Sequence, residues 1–174
     1  MTQWPPLNAS LSSSGGNWET YLEIIYASYL ADFHGATIHW NAEGKKISSK
    51  RIPEQEGKSA TFWHVVSEGP DEASRTIDLA RCERITWPRL MVDEFLGLYP
   101  APANDRIVWW WNSRRNKSGV DERRLLIALA DFSYVVVLAD RGHYLLFWTA
   151  YPVDQPHRRK KMQKEHDAYW ARIQ

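Results

Sequence analysis

The sequence predicts an α+β fold: N-terminal helices packed on an antiparallel sheet of about four strands, with a C-terminal helix. Three observations carry this expectation. Residues 22–33 place apolar side chains at three- and four-residue steps, which is the period of a helix with one buried stripe. From residue 106 onward the pattern changes to short runs of Val, Ile, Leu and Trp bounded by turns, which is the pattern of strands. The segment "HRRKKMQKEHDAYWARI" then returns to a charged helical composition. Helices come mainly first and strands mainly later, so the strands pair with one another instead of alternating with crossover helices.

In order along the chain, "MTQWPPLNASLSSSGGNW" (1–18) is rich in Ser, Gly and Pro and is expected to be a flexible segment ahead of a single domain over 19–174. "ETYLEIIYASYLADF" buries Leu22, Ile25, Tyr26, Tyr29, Leu30 and Phe33. "GATIHWNAEGKKISSKRIP" reads as a hairpin turning at Glu43-Gly44. "QEGKSATFWHVVSEG" carries His64 and ends in turn residues. "DEASRTIDLARCERI" reads as a helix with acids in its first turn, as the dipole prefers.

Pro88 suits the first turn of a helix over "PRLMVDEFLGL". After the link "YPAPAND" comes the strand "RIVWWWN". Its three consecutive indoles must divide between two faces. "SRRNKSGVDERR" is taken as a polar loop. "YVVVLADRGHYLLFWTAY" is expected to be two buried strands joined by a tight turn at Asp140–His143.

Charge and composition bound the function. The 174-residue chain has 22 basic and 21 acidic residues, a net charge of +1, but they are unevenly spread. Acids gather around 68–72 and 93–94, bases at 45–51, 114–117 and 158–164. A near-neutral sum therefore leaves nucleic acid open as a partner. The single cysteine excludes an internal disulfide and a Cys-based metal site, and suits a reducing cytoplasm. No apolar run approaches the roughly 20 residues of a membrane helix, and the N-terminus lacks a secretory pattern. Phosphate-loop, dinucleotide, HExxH and GxSxG motifs are absent, and His34 and His39 lack partners at metal spacing, so neither cofactor nor metal is expected.

Three features remain that carry chemistry. His64, between Phe62, Trp63, Val65 and Val66, is an imidazole in apolar company that can exchange protons near neutral pH. The competing reading is a core histidine satisfied by a backbone carbonyl. Arg75, Arg81, Arg84 and Arg89 form an arginine series, with Arg81 and Arg84 on one face of a helix. Their planar forks fit phosphate oxygens, although surface pairing with Glu72, Asp78 and Glu83 is the ordinary fate of such residues. Thr149 and Tyr151, two apart on a strand, point to one side if Trp148 and Ala150 pack inward. Together these groups suit phosphodiester chemistry: a base for the RNA 2′-hydroxyl, an acid for the leaving oxygen, donors for the phosphate, and rings for an unstacked base.

The order of "GKSATFWHVVSEG", "RTIDLARCERITW" and "YVVVLADRGHYLLFWTAYPV", followed by a basic tail, resembles the phage-associated branch of the barnase–EndoU–colicin–RelE class of ribonucleases. The resemblance covers residues 20–170. It implies N-terminal helices against a four-stranded antiparallel sheet, metal-free RNA cleavage, and a role as a toxin or an effector in phage–host conflict. Its most specific piece is "FWTAYPV", with Thr149 two before an aromatic; His64 is next. The class's basic residue matches Arg81 or Arg84, and Lys58 lies in a similar "GK".

The leading expectation is therefore a metal-independent endoribonuclease with RNA as partner and an inhibitory protein as a second. His64 is the general base or acid, Arg81 and Arg84 bind the scissile phosphate, and Thr149 and Tyr151 orient it. Lys58, Arg75, Arg114, Arg115, Arg158, Arg159 and Lys160 hold the RNA. The alternative is a non-catalytic RNA- or protein-binding module on the same scaffold, using an exposed indole among Trp109–Trp111. A nucleotidyl transferase is a third idea that no motif supports.

Overall fold

A computed structural model describes residues 3–173 of the chain. Helix α1 (Trp18–Phe33) starts where the Asn17 side chain accepts a hydrogen bond from the Thr20 amide at 2.9 Å. It buries Leu22, Ile25, Tyr29 and Phe33 of the expected stripe and Tyr21 beside them, while Tyr26 and Leu30 are only partly buried at its margin. Strands β1 (Ile38–Trp40) and β2 (Lys45–Ser49) form the expected hairpin. Next come α2 (Ala60–Val66), the short antiparallel pair β3 (Ser67–Glu68) and β4 (Thr76–Ile77), α3 (Leu79–Cys82) and α4 (Trp87–Leu98). Four long strands follow: β5 (Ile107–Arg115), β6 (Asp121–Leu129), β7 (Tyr134–Asp140) and β8 (Tyr144–Pro152). Helix α5 (Pro156–Ile173) comes last.

The expected four-stranded antiparallel sheet is the meander β5–β8, but the whole sheet is larger and mixed. Its order is β1-β2-β8-β7-β6-β5, with β2 parallel to β8 through Lys46–Ser49 and Tyr144–Phe147. The hairpin docks there because Ile38, Trp40 and Ile47 bury their side chains in the main core. Two short strands carry no local signal of that distant edge.

Two further expectations change. The helix read over 71–85 is broken: only Leu79–Cys82 is α-helical, after a 3-10 turn at Glu72–Ser74 and strand β4. Asp71 accepts from the Ser74 amide, and Asp78 accepts from the Ala80 and Arg81 amides, so each aspartate starts its own turn. The stretch read as a polar loop is mostly strand, with Arg115 opposite Asp121 and Arg114 opposite Glu122. The Arg115 and Asp121 side chains approach to 3.6 Å across the ladder and support it, and only residues 116–120 turn.

Tyr134, Val136, Leu138 and Phe147 face a core closed by α1, α2 and α4. Val108, Trp110, Leu126 and Val135 face the other side, where α5 covers one end. Trp109 and Trp110 divide between the two, as alternation requires. Trp110 is fully buried against His166 of α5, so no indole of that face is left open there. Of the segment expected to be flexible, Met1 and Thr2 lie outside the described residues. Further along, the Trp87 indole donates to the Pro6 carbonyl and the Asn8 amide to the Glu83 carbonyl, each at 2.8 Å. No helix among the described residues is long and apolar enough to cross a membrane.

Candidate active-site cleft

A cavity of about 590 Å³ opens between the C-terminal end of α2, the β3–β4 arm, the tip of the β5–β6 hairpin and β8. Helix α2 supplies the imidazole. It turns Thr61, Phe62, Val65 and Val66 into the core, which leaves His64 on the outer face and partly exposed. The ring lies against the Trp148 indole, centroids 5.5 Å apart, and its Nε2 is 2.7 Å from Glu72 Oε1. Burial, and then the nearby Arg75 guanidinium, hold the His64 pKa below its ordinary value, while Glu72 pulls it up. The net shift favours the neutral ring. A neutral imidazole facing a carboxylate carries its hydrogen on that nitrogen, so Nδ1 keeps a lone pair.

Arg75 and Arg81 fix the backbone beneath this histidine. A helix end leaves carbonyls without intrahelical partners. Arg75 Nη2 donates to the His64 and Ser67 carbonyls at 3.1 and 2.6 Å, and its Nε to Ser67 Oγ at 2.9 Å. Arg81 Nη1 donates to the same carbonyls at 3.4 and 2.9 Å, and Thr149 Oγ1 to the His64 carbonyl at 3.3 Å. The Arg81 guanidinium also sits 5.4 Å from the Tyr151 ring centre. Arg75 Nη1 and the Tyr151 hydroxyl make no hydrogen bond among the described residues, and both residues line the cavity.

Trp148 departs from the expected alternation. Val137 pairs with Thr149 but Leu138 pairs with Phe147, so Trp148 is the extra residue of a β-bulge. Ala150 packs inward as expected. Trp148 does not join the main core; partly buried, it packs against the second cluster and lines the cleft beside Thr149 and Tyr151. Two guanidiniums, Arg124 and Arg141, lie 5.7 and 5.9 Å from its ring. Both are tied to Glu122, which is only 7% exposed: Arg124 Nε donates to it at 2.7 Å, and Arg141 Nη1 to its other oxygen. Six cationic side chains (Arg75, Arg81, Arg115, Lys117, Arg124, Arg141) thus face four acidic ones (Glu68, Asp71, Glu72, Glu122). A second cavity of about 450 Å³ adjoins this one. His64, Glu72 and Trp148 form the common wall, and Trp63, Leu146 and Lys50 line the far side.

The cleft therefore gathers His64, Arg75, Arg81, Arg115, Thr149 and Tyr151 from the residues the sequence singled out. The others lie elsewhere. Lys58 is buried, 2.5 Å from Glu23 and 5.1 Å from the Tyr26 ring, and clamps its loop to α1. Arg84 follows the end of α3, so it shares no helix face with Arg81. Its Nη1 donates to the Ala80 carbonyl at 2.7 Å, and its guanidinium covers Trp87 at 4.9 Å. Arg114 lines a different groove. Arg158 and Lys160 are exposed on α5 and border neither cavity, and Arg159 donates to the Val153 carbonyl at 2.6 Å.

Trp148, Glu72, Glu122, Arg124 and Arg141 were missed. A bulge leaves no mark in a strand pattern, and the charges sit in stretches that read as surface. Among the described residues no group of three His, Cys, Asp or Glu side chains is placed to hold a metal ion. Comparison of the chain with protein-family models, curated proteins and solved structures returns no match.

Proposed function

We propose that this cleft binds a phosphodiester of single-stranded RNA and that the protein is a metal-independent endoribonuclease. The observation that carries the reading is the convergence of His64, Arg75, Arg81, Thr149 and Tyr151, distant in sequence, on one cavity. In this reaction His64 Nδ1 takes the proton of the 2′-hydroxyl. The 2′-oxygen bonds to phosphorus, the bond to the 5′-oxygen breaks, and that oxygen takes a proton from the Tyr151 hydroxyl. The products are a 2′,3′-cyclic phosphate and a free 5′-hydroxyl. The open Arg75 Nη1 and the Arg81 fork stabilise charge on the non-bridging oxygens.

Thr149 acts on the histidine backbone and so positions the base. The nucleobase beside the cut enters the adjoining cavity between Trp63 and Trp148, where ring stacking holds it. On this reading the protein is an effector nuclease of the barnase–EndoU–colicin–RelE kind, acting in the cytoplasm and restrained by an inhibitory protein partner.

One observation favours a second reading, a non-catalytic RNA-binding module: Arg75 and Arg81 already donate to backbone carbonyls. Incubating the protein with mixed RNA in EDTA separates the two. Fragments with cyclic-phosphate ends are expected, falling about 100-fold or more in rate in His64→Ala and strongly in Tyr151→Phe. Binding without cleavage selects the second reading, and cleavage abolished by EDTA overturns the metal-free mechanism.

A further inference from the structure

A separate groove of about 1000 Å³ opens between the outer end of β5 and α5. The sheet contributes Trp111, Arg114 and Arg123. On α5, residues 161, 165, 168 and 172 recur at three- and four-residue steps, so Lys161 and Arg172 share one stripe facing it. Four cations thus meet one acid, Glu165, whose carboxylate accepts from Asn112 Nδ2 at 3.3 Å. None of the four forms an ion pair among the described residues, whereas most cations of the cleft are paired. The Arg123 guanidinium lies 3.8 Å from the Trp111 ring centre, and Trp111 stacks at 6.3 Å and 18° on buried Trp40. The result is a layered stack of two indoles and a guanidinium, and Arg123 is exposed at its outer end.

We infer that this groove is a second binding site for single-stranded RNA, in which a base stacks on the outer face of Arg123 while Arg114, Lys161 and Arg172 meet phosphates. A guanidinium held 3.8 Å over an indole ring is partly ordered by that contact, and every base offers a flat face to it. Unpaired cations gain most from replacing counterions along a phosphate chain. The β5–β6 arm joins the groove to the cleft. Arg114 lines the groove and the next residue, Arg115, lines the cleft; Arg123 lines the groove, while Glu122 and Arg124 line the cleft. A strand crossing this arm touches both sites. The inference shares with the proposed function only that RNA is the ligand.

The test uses a labelled 2′-O-methyl oligoadenylate about 12 nucleotides long, which binds but cannot undergo transesterification, read by fluorescence anisotropy. Arg114→Glu/Lys161→Glu/Arg172→Glu is expected to weaken binding about tenfold or more and to reduce the salt slope by about 2. The matched variant Lys46→Glu/Arg51→Glu/Lys164→Glu, on exposed residues outside the groove and the cleft, is expected to lose less than about threefold. Equal losses in the two sets overturn the inference.

Arg123→Lys keeps the charge but removes the plane, so it is expected to bind nearly as poorly as Arg123→Ala; full affinity in Arg123→Lys overturns the stacking role. Displacement of the oligonucleotide by polyglutamate at equal phosphate and carboxylate concentration also overturns it, in favour of an acidic protein face. A dinucleoside monophosphate, too short to span both sites, separates the two proposals. Unchanged cleavage of it by the groove variant supports the inference. Intact groove binding with no cleavage by the parent protein sinks the nuclease reading alone.

Discussion

His64 sits between opposing fields, and its titration reports which of them dominates. Burial and the Arg75 charge disfavour the imidazolium; Glu72 favours it. In an NMR titration its midpoint is expected below 6.5, to move up in Arg75→Gln and down in Glu72→Gln; the opposite order would mean that another group controls the ring. The sign carries over to stability. A histidine whose folded pKa is depressed supports the fold above its unfolded pKa, and that support is lost as pH falls through the folded value.

Asp32 acts in the reverse sense. Burial pushes its carboxyl up to about 6, against the pull of Arg89 and with some help from Asp93. Its contribution is present below about 3.8 and lost as pH rises through about 6. Asp32→Asn is therefore expected to raise the urea midpoint at pH 8, by on the order of 1 kcal/mol after screening, and to change little at pH 4.

The β3–β4 arm is the element on which the cleft depends. It carries Glu68, Glu72 and Arg75, and its turn leaves no room at Gly69. A Cβ there would come 2.8 Å from the Ser74 carbonyl oxygen and 2.9 Å from Arg75 Cα, both backbone atoms that cannot swing aside. Gly69→Ala is expected to cost about 1–3 kcal/mol in urea unfolding and to shift the His64 titration, because Arg75 is carried off the α2 carbonyls. A wild-type His64 midpoint in Gly69→Ala would show that the arm does not hold that guanidinium. The bulge in β8 plays a parallel part: the inserted Trp148 reverses the alternation after Phe147, so that Ala150 enters the main core while Thr149 and Tyr151 line the cleft, and Trp148 itself lies against the imidazole.

For the molecule as a whole, the sheet has two edges, β1 and β5, and β5 is the long one. Helix α5 packs along it, with the Trp170 indole donating to the Trp109 carbonyl at 2.8 Å and His166 edge-on to Trp110. An unpaired edge with exposed indoles invites association with other chains. Truncation after Asp154 is expected to produce concentration-dependent aggregation, seen as large species by light scattering at protein levels where the full chain is monodisperse. A truncated chain that stays monodisperse would assign α5 no protective role.

Local pattern determined much of this molecule. The spacing in 22–33 yields α1 because burial of one stripe needs only the helical period, and the Val-, Leu- and Trp-rich runs yield β5, β7 and β8 because alternation and turn residues act over a few positions. Glu43-Gly44 and Asp140–His143 turn where their chemistry demands. What depends on contacts between distant segments was decided only in the folded chain. The docking of β2 on β8 and the bulge at Trp148 each rest on pairing with another strand. The break of 71–85 is more local: the Asp71 and Asp78 side chains cap separate turns and β4 pairs with β3, which the helical reading of that stretch passed over. The candidate site divides in the same way. Side-chain chemistry singled out His64, Arg75, Arg81, Thr149 and Tyr151, but the choice of Arg81 over Arg84 required the end of α3. Glu72, Glu122, Arg124 and Arg141 belong to the cleft only because separate turns and hairpins meet there, and one-dimensional spacing contains no measure of that distance.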